Sequence, residues 1–221
     1  MFKRVLIAED HESTNISVQK TLSDLGVPHT DYVYYCDDAL MRIQKGVKEK
    51  LTYDLLITDL SFEEDHRKQL ICDGRELITA VKKEQPSLKV IVFSGENKIA
   101  TIDSLFKELN IDGYVRKARH DAKELKLAIE TIYKNRTYLS ADLRQAVKEK
   151  NSYEFTEFDV TIISLLTNGT PQKDIPIYLR KNNIKPSGLS SVEKRLGLIK
   201  ETLGFAKNEQ LIAFCKDLGI I

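Results

Sequence analysis

The fold turns on residues 53–61, "YDLLITDLS". Leu55, Leu56 and Ile57 form an unbroken apolar run. That is the pattern of a strand buried on both faces, because a strand with one wet face alternates apolar and polar residues. The run stops at Asp59, and a charged stretch, "FEEDHRKQLICDG" (62–74), follows it. In an open parallel α/β sheet, ligands bind outside the carboxyl ends of the strands. A carboxylate at the tip of a buried strand stands in that position.

Outward from this strand the same rhythm repeats. Strands are predicted at Arg4–Ala8, Tyr32–Tyr35, Leu55–Thr58, Val90–Phe93 and Gly113–Val115. Between them, 3.6-residue periodicity predicts helices at Ser13–Leu25, Ala39–Glu49, Gly74–Glu84, Ile99–Leu109 and Ala122–Lys134. Alternating strands and helices imply a five-stranded parallel sheet with helices on both faces, since parallel strands need a crossover. From Asn135 strand character is lost. Ser140 is placed to N-cap a short helix through Val147, and "KEKNS" (148–152) reads as a linker. The predicted division is therefore an α/β domain over 1–134, a linker with a short helix over 135–152, and an all-α domain over 153–221. In the last, Thr156 reads as an N-cap with Phe155 as its hydrophobic staple, and Asn168-Gly169 as a stop. Thr170-Pro171 reads as the opening of the next helix, and Pro176 as a bend inside it.

Composition narrows the function classes. The 221 residues carry 34 Lys and Arg against 33 Asp and Glu, a net charge of +1, so a nucleic-acid surface has to be local. Cys36, Cys72 and Cys215 are scattered, with no CxxC pair, and read as free thiols of a reducing compartment. No segment is long and apolar enough for a membrane span, and "MFKRVLIAEDHEST" lacks a signal-peptide core, so a cytoplasmic protein without membrane contact is expected.

Four of the five predicted strand ends supply a chemically apt residue. Glu9 and Asp10 end the first, Asp59 the third and Ser94 the fourth, with Lys117 just beyond the fifth. Clustered carboxylates repel one another and call for a cation. An all-oxygen donor set suits Mg²⁺, which shares its coordination with phosphate. Together these residues are equipment for moving a phosphoryl group onto Asp59.

"LIAEDH", "LLITDLS", "VIVFSG" and "GYVRKA" resemble the receiver domain of two-component response regulators. The resemblance implies a flavodoxin-like sheet of order 2-1-3-4-5 and Asp59 as phospho-acceptor. It further implies Mg²⁺ held by Glu9, Asp10, Asp59 and the main-chain carbonyl of Ser61. Ser94 and Lys117 match the phosphate-contacting pair, and Tyr114 the aromatic that switches position on activation. Glu9 replaces a commoner Asp, and Ala118 a frequent proline. The long "DLS…DG" frame is most similar to regulators of the Rcs capsule-control type, which use auxiliary protein partners.

"FTEFDVTIISLLTNG" and "SSVEKRLGLIKETLGF" resemble the four-helix LuxR/NarL-type helix-turn-helix. The resemblance implies double-stranded DNA as a partner, with Ser190–Leu203 as recognition helix, and a homodimer formed through the last helix. Arg180–Lys200 holds six basic residues against the single acid Glu193. Ser190, Ser191, Lys194, Arg195, Lys185 and Lys200 are the candidate DNA contacts. The expected function is a transcription regulator phosphorylated by a sensor histidine kinase, with no turnover chemistry of its own. The alternative is a phosphorylation-controlled module whose helical domain binds a protein instead of DNA. An Asp-nucleophile phosphatase is disfavoured, since that class places a second acid where Ser61 stands.

Overall fold

Apolar runs of this kind bury both faces by pairing side by side beneath helices. In the computed structural model, which describes residues 1–150 and 153–221, they do so. Strands β1 (Arg4–Ala8), β2 (His29–Val33), β3 (Leu55–Thr58), β4 (Lys89–Ser94), β5 (Gly113–Arg116) and β6 (Tyr138–Leu139) form one all-parallel sheet of order β2-β1-β3-β4-β5-β6. Helices α1 (Glu12–Asp24), α2 (Cys36–Lys48), α3 (Gly74–Glu84), α4 (Ile99–Leu109) and α5 (Asp121–Tyr133) connect them. On one face Ile7, Ile57 and Phe93 pack with Val18 and Leu22 of α1 and Ile129 and Ile132 of α5. Successive strand residues face opposite sides. The intervening Leu6, Leu56 and Val92 are fully buried as well, so neither face is wet. Each such side chain contributes roughly 1.5–3 kcal/mol.

Two strands depart from expectation. β2 lies at His29–Val33 rather than 32–35, paired with β1 from Arg4↔His29 to Ala8↔Val33. It is the sheet's edge, where only Val33 is buried, so its sequence carries no apolar run. The segment after Asn135 is not devoid of strand: β6 adds a sixth, through the Tyr138 amide on the Asp112 carbonyl (3.0 Å) and the Ser140 amide on the Tyr114 carbonyl (3.1 Å). Helix α6 (Ala141–Lys150) follows. Ser140 Oγ accepts from the Arg116 amide (2.9 Å), and the Ala141 amide goes to Glu124 Oε2 (3.0 Å). The end of the expected linker, residues 151 and 152, lies outside the described residues.

The chain divides into two units, Met1–Asn97 with Thr101–Leu143, and Arg144–Ile221 with Lys98–Ala100. In the second, α7 (Glu157–Thr167), a 3₁₀ turn (Gln172–Asp174), α8 (Ile175–Lys181), α9 (Leu189–Leu203) and α10 (Asn208–Asp217) enclose a core that includes Ile162, Ile163, Leu179, Leu196, Ile199 and Leu211. The prolines are placed differently from the reading above. Pro171 precedes the 3₁₀ turn, and Pro176 sits in the first turn of α8, where a missing N–H leaves no helical bond unmade. Among the described residues no helix is long and apolar enough to cross a membrane.

Thr156 and Asp159 close a capping box on α7. Asp159 is fully buried and also receives Arg195 of α9 bidentately, Nε on Oδ1 at 2.6 Å and Nη2 on Oδ2 at 2.7 Å. Burial pushes the Asp159 carboxyl up, but the hydrogen bonds from Arg195 and Thr156 outweigh it and hold the group below its ordinary value. A depressed carboxyl stabilises above its unfolded pKa of about 3.9 and loses that contribution as pH falls through the folded value. Breaking one side of a buried pair costs about 3–5 kcal/mol. Asp159→Asn is therefore expected to lower the helical unit's unfolding free energy by about 3 kcal/mol in urea titrations followed by circular dichroism. Its acid-side decline below pH 4 is expected to flatten.

Candidate functional site

The parallel ladder runs one residue past several strands at the carboxyl edge. The Glu9 amide donates to the Val33 carbonyl (3.1 Å), the Asp59 amide to Ala8 (3.1 Å) and the Lys117 amide to Ser94 (2.8 Å). The backbones carrying Glu9, Asp59 and Lys117 are thus fixed by the sheet itself. Their side chains meet there. Lys117 Nζ stands 2.5 Å from Asp59 Oδ2 and 2.8 Å from Glu9 Oε2. Asp59 Oδ1 accepts from the Leu60 amide (2.5 Å).

Close passage of the chain defines the floor. The Gly74 amide donates to the Leu60 carbonyl (2.9 Å), and a Cβ on Gly74 would stand 2.0 Å from the Asp59 carbonyl oxygen. Only glycine fits where α3 starts against the strand end. Asp73 caps that helix by accepting from the Glu76 amide (2.8 Å).

Glu9 is 2% exposed and Asp59 6%. The Lys117 ammonium thus faces two nearly buried carboxylates, and half-buried Asp10 follows Glu9 directly in sequence. Burial lifts the Glu9 carboxyl above its ordinary value, and Lys117 offsets this only in part. Burial pushes Lys117 down, yet its two carboxylate partners prevail and raise it. Such a site is short of positive charge and favours a cation. Ligand atoms of Glu9, Asp10 and His11 lie within 4.8 Å of one another. His11, given no role in the reading above although "AEDH" contains it, bonds Asp10 Oδ1 at 2.9 Å, which raises its pKa. The carboxylate oxygens suit a hard divalent ion, while the imidazole better serves to orient Asp10.

Ser94 is buried at the end of β4, and Tyr114 is wholly buried with its hydroxyl donating to the Glu96 carbonyl (2.8 Å). Ser61 is exposed beside Asp59. In the helical unit Ser190 and Lys194 line the exposed face of α9 together with Glu193, while Ser191 and Lys200 are half-buried. Lys185 is exposed in the connection before α9. Arg195, also expected as a DNA contact, gives Nε and Nη2 of its half-buried guanidinium to Asp159.

A family model described as the response regulator receiver domain matches residues 5–130. None of the curated proteins compared matches the chain. Among solved structures, the isolated REC domain of RcsB from Salmonella enterica serovar Typhimurium, in the presence of the phosphomimetic BeF3-, is 26% identical with a TM-score of 0.52, over 65% of this chain and 96% of that one. The structure of two RcsB dimers bound to two parallel DNAs is 21% identical with a TM-score of 0.58, over 97% of this chain and 98% of that one. The Salmonella typhimurium RcsB response regulator described for conformational dynamism in DNA interaction is 21% identical with a TM-score of 0.60, over 96% and 97% of the two chains. The two longer matches show a shared fold extending through the helical unit.

The raised Glu9 carboxyl sets a sign. A group whose folded pKa is raised stabilises fully below its unfolded value, here 4.5, and loses that contribution as pH rises through the folded value. Without divalent cation, the α/β unit is therefore expected to lose stability as pH rises from about 4.5. Glu9→Gln is expected to be more thermostable than the unaltered chain near neutral pH and to flatten this slope, as read by differential scanning fluorimetry in EDTA.

Proposed function

The chain belongs to the response regulator receiver domain family, and we propose on that premise that it is a transcription regulator switched by phosphorylation of Asp59. The observation that carries the reading is the Asp59–Lys117–Glu9 contact held at the sheet's carboxyl edge. A sensor histidine kinase is the donor. An Asp59 carboxylate oxygen forms the new bond to phosphorus as the donor's phosphorus–nitrogen bond breaks, and Lys117 stays beside the added charge. Mg²⁺ held by Glu9, Asp10, Asp59 and the Ser61 carbonyl would neutralise charge on the phosphoryl oxygens. The chain consumes its own carboxylate and performs no turnover reaction.

Ser94 reports the event. Its hydroxyl, drawn to a phosphoryl oxygen, would shift the loop that carries Glu96 and so alter what holds the Tyr114 hydroxyl. The output is double-stranded DNA bound by a homodimer in the cytoplasm, where a bacterial regulator meets its promoters. The solved structure of two RcsB dimers bound to two parallel DNAs, with which this chain shares its fold, supports this step. The working division is a receiver over 1–134, a connecting segment over 135–152 and a DNA-binding unit over 153–221. Within the last, Ser190, Ser191, Lys194, Lys185 and Lys200 are the contacts, with Arg195 positioning α9 from behind.

One observation favours a protein partner, auxiliary to DNA or in its place. Ile177, Tyr178 and Leu198 of the helical unit are 64%, 44% and 47% exposed, and Glu193 is exposed as well. Incubation with acetyl phosphate and Mg²⁺ is expected to place acid-labile phosphate on the unaltered chain and none on Asp59→Asn; phosphate retained on the variant overturns the site. Lys194→Ala is expected to weaken duplex-DNA binding about 5- to 20-fold and lower the slope of log affinity against log salt by about 1. Affinity unchanged in mobility shifts favours the protein partner.

A further inference from the structure

The charged stretch after Asp59 is fastened down. Arg67 pairs with both carboxylate oxygens of Asp38 (2.9 and 2.6 Å) and lies 4.3 Å from the Tyr35 ring centroid. The Tyr35 hydroxyl donates to Asp65 (2.7 Å), and the Leu70 and Ile71 amides donate to Asp37 (2.9 and 3.0 Å). These ties converge on Tyr35–Asp38, where α2 begins. At its near end the stretch is tied to the acidic site, by the Glu63 amide on Asp10 Oδ2 (2.7 Å). Between half-buried Phe62 and Ile71 it is polar apart from Leu70, which is 93% exposed. The result is a strap whose Glu63, Glu64 and Asp65 overhang a cleft of about 290 Å³ shared with Asp10 and Tyr35.

We propose that this strap is an anion screen which decides the donor that reaches Asp59. It disfavours small, highly charged phosphodonors and favours a protein donor that brings basic side chains to the rim. The inference rests on Asp59 being the phospho-acceptor. A free charged loop would move its carboxylates away from an arriving anion. The Arg67, Tyr35 and Asp37 bonds prevent that, and the Glu63 amide keeps the strap's near end on Asp10; surface charges act over about 10 Å. Exposed ion pairs are individually weak, so the strap is releasable by a partner that competes for Asp38 or Asp65.

The test uses the full chain at saturating Mg²⁺, with acyl phosphate formation followed for two donors, acetyl phosphate and the less charged phosphoramidate. The combined Glu63→Gln, Glu64→Gln, Asp65→Asn variant is expected to be labelled by acetyl phosphate about 3- to 10-fold faster, and by phosphoramidate with a smaller gain. Arg67→Ala removes a positive charge yet is expected to speed acetyl phosphate labelling too, because the strap is released, with faster amide exchange at Leu70 and Ile71. Unchanged rates in the combined variant, slower labelling in Arg67→Ala, or unchanged exchange there would each overturn the screen. No labelling of the unaltered chain would instead overturn the assignment of Asp59, and the screen with it.

Discussion

The contact on which the amino-terminal unit depends is Lys117 between Asp59 and Glu9. Two nearly buried carboxylates side by side are unfavourable, and no local sequence preference brings them together. The sheet does it: the bonds that continue the ladder past Ala8, Thr58 and Arg116 leave the backbones beneath these side chains no alternative position. Lys117 then offsets only in part the cost of burying these carboxylates, as the raised Glu9 carboxyl records. A scaffold that holds charges in mutual conflict stores a preference for an added cation, and that preference makes the arrangement useful for handling phosphate.

The helical unit uses the opposite strategy. Asp159 has bonds from Arg195, Thr156 and Tyr153 and a carboxyl held below its ordinary value. Its charge is matched, so the pair fixes how α7 meets α9 and asks for nothing further. Both Glu9 and Asp159 are nearly or fully buried, yet one carboxyl is held above its ordinary value and the other below it, so the partners and not burial alone set the difference.

What was legible in the sequence follows the same physics. The central strands announced themselves because burial on both faces demands unbroken apolar runs, and Asp59, Glu9, Ser94 and Lys117 could be placed because each ends such a run. β2 and β6 lie at the two edges of the sheet, where a strand needs no such run; hydrogen bonds placed them, and residue type carried little signal. Pro176 was misplaced because a proline reads alike inside a helix and in its first turn, until the start of α8 is known. The Arg195–Asp159 pair joins residues 36 positions apart, so no local pattern distinguished Arg195 from its neighbour Lys194. The strap was visible as length and charge, but its ties to Tyr35, Asp37 and Asp38 join residues about thirty positions apart, beyond any local pattern.

Those ties change how the residues after Asp59 are understood. Gly74 admits no side chain against the Asp59 carbonyl, and Asp73 caps α3, so the stretch is anchored rigidly at its far end. At its near end Leu60 and Ser61 sit on Asp59 itself. A loop pinned at both ends needs no further fastening to preserve the strand or the helix. The added bonds to the start of α2 therefore serve the position of the loop's own carboxylates. On the proposed screen, that position bears on what reaches Asp59, and the choice of donor lies in a segment outside the strands and helices.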